Sequence, residues 1–274
     1  MFLNDLKNIF SQNKDKNPFY VRNFLKESIQ YYVLHFVSQS KWNQCLVFKG
    51  GTCLRIFFDL PRLSEDLDFD IINIKDFDMA EFIKAIRDYF KSLVQYDDFD
   101  IKLAGDNRTL YLRFPILNKI GMTIGSAETN IIFVRIDVAE AEGSAYSTEI
   151  AVKSYSHFSL LIKRYSLPDL MASKIAAILT REKMEGTTKM ERFKGRDYYD
   201  LIWYLEKNVS PNWDYLTQIT GFTKNEAIDK LTQKINTIDL SLLSQDLTPF
   251  FQDNSFVKMF SQHFRDIYAS KMLK

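Results

Sequence analysis

Apolar and polar positions change period along this chain, and the changes mark out its elements. Residues 19–39 form an aromatic-rich helical stretch, Leu46-Val47-Phe48 is a short apolar run suited to a buried strand, and Thr52 to Phe58 begins an apolar helix. Gly50 and Gly51 sit at that strand-to-helix junction. Asp66-Leu67-Asp68-Phe69-Asp70-Ile71-Ile72 then alternates strictly, which on a strand sends three aspartates to one face and the apolar residues to the other. Residues 76–96 return to a helical period, with Phe82, Ile86, Phe90 and Leu93 on the expected core stripe. Strand patterns dominate from Phe99 to about Val152, including the alternating Arg108 to Phe114 and the β-branched Ile131 to Ala139.

After about Leu160 the period is helical. Ser166 to Leu179 has Pro168 in its first turn, Asp169 at its positive end and an apolar stripe through Leu170, Ala177 and Ile178. Thr223 and Glu226 form a capping box before Ala227 to Ile235, and Phe256 to Met272 reads as a terminal helix. No long linker and no internal repeat interrupts the sequence. The expected fold is α/β (α+β): a mixed-sheet domain over residues 1–160, then a helical bundle domain over 161–274, with the site in the cleft they share.

Glycine at a strand-to-helix turn permits positive φ and lets an anion approach the unpaired amides that open a helix. Gly50, Gly51 and the Thr52 hydroxyl therefore read either as a phosphate cradle or as a plain turn. The acidic strand narrows the choice. Three like charges on one face repel, and Mg²⁺ offsets that repulsion while taking only one or two carboxylates together with substrate phosphates. A solvated edge strand defended by charge is the alternative. Asp137, near the end of its apolar run, is the candidate third carboxylate, with Arg135 on the same face as a competing charge partner.

Two downstream features remain. Lys174 lies in a largely apolar helix, where it either snorkels to solvent or meets a phosphate. Residues 181–196 hold six basic residues (Arg181, Lys183, Lys189, Arg192, Lys194, Arg196) against three acidic ones and read as a polar connecting loop able to touch nucleic-acid phosphates. In Lys194-Gly195-Arg196-Asp197-Tyr198-Tyr199-Asp200, Asp197 is placed to cap a helix, with Asp200 one turn on.

The Gly-Gly-Thr turn, the Arg62-x-Ser64-x-Asp66-x-Asp68 run and the Lys-Gly-Arg-Asp-x-x-Asp element together resemble the AbiEii-type toxin nucleotidyltransferases, a branch of the DNA polymerase β-like nucleotidyltransferase superfamily. The resemblance covers roughly residues 40–205. Gly51-Thr52 stands where the superfamily has Gly-Ser, and thirteen residues separate it from Asp66.

The resemblance implies two Mg²⁺ ions on Asp66, Asp68 and Asp137, and a nucleoside triphosphate (NTP) at Gly50, Gly51 and Thr52 with Arg62 and Ser64 beside it. It also gives Lys174 a triphosphate contact and sets Asp197 near the chemistry. The implied reaction moves a nucleoside monophosphate to an acceptor hydroxyl, with the tRNA 3′ end or another RNA as acceptor and a cognate antitoxin as partner. A protein or small-molecule acceptor needs the same chemistry. A silent nucleotide- or RNA-binding module is the contrasting class.

Composition limits the rest. The chain has 274 residues, 46% hydrophobic and 15% aromatic, enough for one large or two modest cores. Its net charge of +1 gives no global field for nucleic acid, so any RNA contact is local. Two cysteines and three scattered histidines build neither a disulfide framework nor a zinc site, and no P-loop is present. The N-terminal residues lack a signal-peptide core and no 18-residue apolar run occurs, so a cytoplasmic protein with no membrane contact is expected.

Overall fold

A computed structural model describes residues 2–105, 107–122, 129–185, 188–191 and 193–272. Two compact units emerge from its contacts, the first made of residues 1–141 and 149–164, the second of residues 142–148 and 165–274. Among the described residues no helix is long and apolar enough to cross a membrane.

In the first unit, α1 (Phe2–Asn13) and α2 (Pro18–Gln39) precede β1 (Leu46–Lys49), α3 (Gly50–Phe57), β2 (Asp66–Ile71) and α4 (Met79–Tyr89). β3 (Asp100–Ala104), β4 (Thr109–Phe114), β5 (Ile132–Glu140), β6 (Thr148–Tyr155) and β7 (Phe158–Tyr165) follow. The strands form a mixed sheet in the order β3-β4-β5-β2-β1-β7-β6. β1 runs antiparallel to β2 and parallel to β7, while β2 runs parallel to β5.

The alternation on β4 is obeyed: Leu110, Leu112 and Phe114 are buried. Phe114 joins Phe2, Phe90 and Phe99 in one aromatic cluster. Burying a side chain such as Phe2 or Leu6 is worth about 1.5–3 kcal/mol, which docks the short α1 onto this core. Gln30 on α2 donates to the carbonyl of Glu65 at 2.7 Å, and so ties the helix to the segment entering β2.

The second unit holds α5 (Leu167–Thr180), β8 (Glu182–Glu185), β9 (Thr188–Glu191), α6 (Gly195–Glu206), α7 (Trp213–Thr220), α8 (Lys224–Thr237), α9 (Leu240–Leu247) and α10 (Asn254–Met272). Ser166 caps α5, and the expected capping box is present, with Thr223 and Glu226 bonded reciprocally at the start of α8.

Three expectations need correction. Leu93 is 63% exposed, because α4 gives way to a π-turn over Phe90–Val94; the extra residue in that turn rotates Val94 inward in its place. The helical region begins at Leu167, since β7 continues to Tyr165. Residues 181–196 contain a two-stranded antiparallel ribbon, with Lys183 opposite Met190 and Met184 opposite Lys189. Four residues pair on each side of Gly186-Thr187, which lie outside the described residues with Arg192.

Candidate active site

The glycine turn is built around side chains that arrive from β2. Lys49 ends β1 in an extended conformation and Gly50 opens α3 at φ +77°, in the left-handed region that favours glycine. A Cβ on Gly50 would lie 2.1 Å from Oδ2 of Asp68, and one on Gly51 would lie 2.7 Å from Nη2 of Arg62 and 3.0 Å from Oγ of Ser64. The close approach expected of a phosphate is thus also used by the protein itself. The antiparallel register, which sets Lys49 opposite Asp68, brings the two motifs together across the thirteen intervening residues.

Around this turn the polar groups are largely buried. Arg62 donates from Nη1 to the carbonyl of Leu63 at 2.8 Å. Thr52, expected to offer its hydroxyl to a phosphate, is fully buried, and the hydroxyl donates to the carbonyl of Asp66. That bond joins the first turn of α3 to the first residue of the acidic strand.

On β2 and β5 the parallel register sets Asp68 opposite Asp137 and Asp66 opposite Arg135. Neighbouring strands lie about 4.8 Å apart, so the three carboxylates occupy adjacent positions on one face. Asp137 is held by Arg135, whose Nε lies 2.8 Å from Oδ2, and by the Thr109 hydroxyl, 2.6 Å from Oδ1. Burial opposes the Arg135 charge, but Asp137 and Asp66 more than offset it and raise the guanidinium pKa above its ordinary value. Asp70, the third aspartate of the run, is buried against Lys49 at 2.5 Å.

These donors fit a divalent ion of the Mg²⁺ kind, which takes one or two carboxylates and fills its remaining positions with water and phosphate oxygens. Among the described residues no group of three or more His, Cys, Asp or Glu side chains converges as a metal cage, and Asp137 is turned to Arg135.

The second unit gathers Lys174, Asp197 and Asp200. Lys174 Nζ on α5 lies 2.7 Å from Asp197 and 2.8 Å from Asp200, both on α6, and Arg181 also binds Asp197. Burial works against ionising Asp197, but Lys174, Arg181 and Lys194 outweigh it and hold the carboxyl well below the usual carboxylate range. Asp197 sits in the first turn of α6, where Lys194 is the cap residue, and its carboxylate serves the cations. Lys174 is paired here and does not snorkel freely to solvent.

Sequence reasoning missed some of the polar framework. Thr109 meets Asp137 only through strand pairing. Asp169 is fully buried and accepts from the hydroxyls of Ser166 and Ser147 and the amide of Asn212, which secures residues 142–148 within the second unit. The sequence separation of 43 between Asp169 and Asn212 leaves no periodic signal of that contact.

Residues 33–272 match the family described as "Nucleotidyl transferase AbiEii toxin, Type IV TA system". A search of curated proteins finds no match. Among solved structures, the chain is similar to MenT4, a nucleotidyltransferase toxin from Mycobacterium tuberculosis, at 16% identity and a TM-score of 0.56, covering 93% of this chain and 86% of MenT4. JHP933 from Helicobacter pylori matches at 16% identity over 91% of each chain, with a TM-score of 0.47. At these identities the MenT4 likeness speaks to fold alone, and the JHP933 match is too loose to argue from. It is the family match, spanning both the glycine–aspartate turn and the Lys174 cluster, that assigns the chain to the AbiEii nucleotidyltransferase toxins of type IV toxin–antitoxin systems, a membership that implies an NTP substrate and a cognate antitoxin.

Proposed function

We propose that this enzyme moves a nucleoside monophosphate from an NTP to a hydroxyl of RNA, the tRNA 3′ end being the acceptor to test first, in a reaction that depends on Mg²⁺. The reading rests on one observation: Asp68 stands level with Asp137 across two parallel strands, with Asp66 on the same face and Gly50 directly against Asp68.

Asp66, Asp68 and Asp137 would hold two Mg²⁺ ions, and Arg135 would have to release or share Asp137 for the full set to serve. Bound there, the ions would supply charge neutralisation on the triphosphate and activation of the acceptor hydroxyl. Gly50 and Gly51 present backbone amides at the start of α3 for a phosphate oxygen, with Arg62 and Ser64 beside them. Thr52 contributes by tying that turn to Asp66. In the second unit, Asp197 and Asp200 set the position of Lys174, the residue to which the family resemblance gives a triphosphate contact.

The test is transfer from α-labelled NTPs to total RNA, to protein and to small metabolites, with native enzyme and with Asp68→Asn, in Mg²⁺ and in excess chelator. Label on a discrete tRNA-sized species that disappears in the variant and with chelator supports the reading. Label on protein or metabolites moves the acceptor. Binding of NTP that ignores Mg²⁺, with no transfer, would identify a silent module.

A further inference from the structure

The sheet of the first unit ends in β6, an edge strand whose two charges, Glu149 and Lys153, are of opposite sign. Edge strands avoid pairing with other chains through charge, proline, bulges or short length. β6 is eight residues long, contains no proline, and exposes Ile150 and Val152 at 68% each, with Leu161 of β7 beside them at 47%.

The register of the hairpin shows which backbone groups face outward. Ser166 N donates to the Ser147 carbonyl at 3.1 Å, Ser154 Oγ lies 3.1 Å from Ser159 Oγ, and Glu149 lies 3.0 Å from Arg164. All three pairs belong to one register around the two-residue turn at Ser156-His157. Ser147 bonds to the β7 side, and antiparallel bonding alternates, so residues 149, 151 and 153 bond to β7 as well. The amides and carbonyls of residues 150 and 152 therefore point to the open edge.

A strand that pairs with its own copy about a two-fold axis must be self-complementary. β6 meets that requirement when centred on Ala151. In this register Ile150 lies opposite Val152 of the second copy, and these even-numbered residues exchange the outward hydrogen bonds. Glu149 lies opposite Lys153 in the non-hydrogen-bonded positions, where side chains are closest. Both charges already have neighbours of opposite sign, Arg164 for Glu149 and Asp59 for Lys153, and pairing adds a second to each.

From this match of backbone direction, apolar pairs and charges, we infer that β6 is a docking edge for a second copy of this chain, giving an antiparallel two-fold dimer with Ala151 on the axis. The inference does not depend on the acceptor or on the metal.

Cysteine placement tests it in the full-length protein, because the native Cys45 and Cys53 are both buried. Ala151→Cys should form a covalent dimer under mild oxidation, whereas Lys153→Cys, distant from its own copy in this register, should crosslink at least about tenfold more slowly. Sedimentation equilibrium should show a mass approaching twice the monomer's as concentration rises. Val152→Pro, which removes an outward amide at a position an edge strand tolerates, should abolish the dimer while leaving in place the thermal midpoint measured at concentrations where the native protein is monomeric. Lys153→Glu should weaken association about tenfold, and adding Glu149→Lys should restore it. A monomer at all concentrations, or equal crosslinking by the two cysteine variants, would overturn the inference.

Discussion

Two groups of aspartates in this chain are treated in opposite ways. Asp66, Asp68 and Asp137 are half-buried on one sheet face, at positions fixed by strand register. Asp197 and Asp200 are buried between helices and tied to Lys174 and Arg181. Water still reaches the first group, so a dissolved ligand can compete for it. In the second group each carboxylate has exchanged water for cations of the same chain, and removing one member exposes the others to desolvation without compensation. The first arrangement suits reversible binding; the second fixes the relative positions of α5 and α6.

Lys174→Met tests this contrast most severely. It leaves two buried carboxylates without their shared cation and should cost about 3–5 kcal/mol in urea unfolding. Unchanged stability would mean that Lys174 does not compensate the burial of Asp197 and Asp200. Asp68→Asn should do the reverse, lowering nucleotide transfer by about 10²- to 10³-fold with little movement of the urea midpoint. If both variants lose stability alike, the two groups do not differ as described.

Smaller effects sharpen the picture. Gly50→Ala strains a left-handed residue and drives a Cβ into the Asp68 carboxylate, at a cost of about 1–3 kcal/mol. The double variant with Asp68→Ala should recover part of that loss, and a double-mutant cycle on melting data would show it. Thr52→Val should cost about 1–2 kcal/mol in the same assay, since it removes a buried donor from the Asp66 carbonyl, whereas Thr52→Ser keeps the bond.

The least change is expected on mild acidification. The Asp197 carboxyl binds its proton less readily folded than unfolded, so its contribution is complete above its unfolded value of about 3.9 and is lost as pH falls through the lower folded value. Between pH 7 and pH 5 its share of stability should stay constant, as monitored by denaturant titrations. In Lys174→Met, acid unfolding should begin at higher pH.

Much of this was legible in the sequence because it depended on local period. The alternation at Asp66–Asp70 specifies a strand with one acidic face, and the capping box at Thr223 specifies a helix start, whatever surrounds them. What escaped depends on meetings between distant segments or on a local irregularity. Asp169 looks like a routine helix-end carboxylate until Ser147 and Asn212 arrive from both directions along the chain. Leu93 follows the helical stripe faithfully, and one π-turn is enough to send it outward. The glycine pair was recognisable as a special turn, but the side chains filling the space beside it are only apparent once β2 is laid against β1.

The order in which the chain visits its two units bears on how it is made. It leaves the first unit after Ala141, returns at Glu149 and leaves again after Arg164. β1 has β7 as a sheet neighbour, yet about a hundred residues separate them. At ribosomal speeds of about 5–20 residues per second, β1 waits roughly 5–20 s for that neighbour to be synthesised. During this interval one side of β1 is open to other nascent chains, and no single protease cut can afterwards release either unit as an unbroken polypeptide.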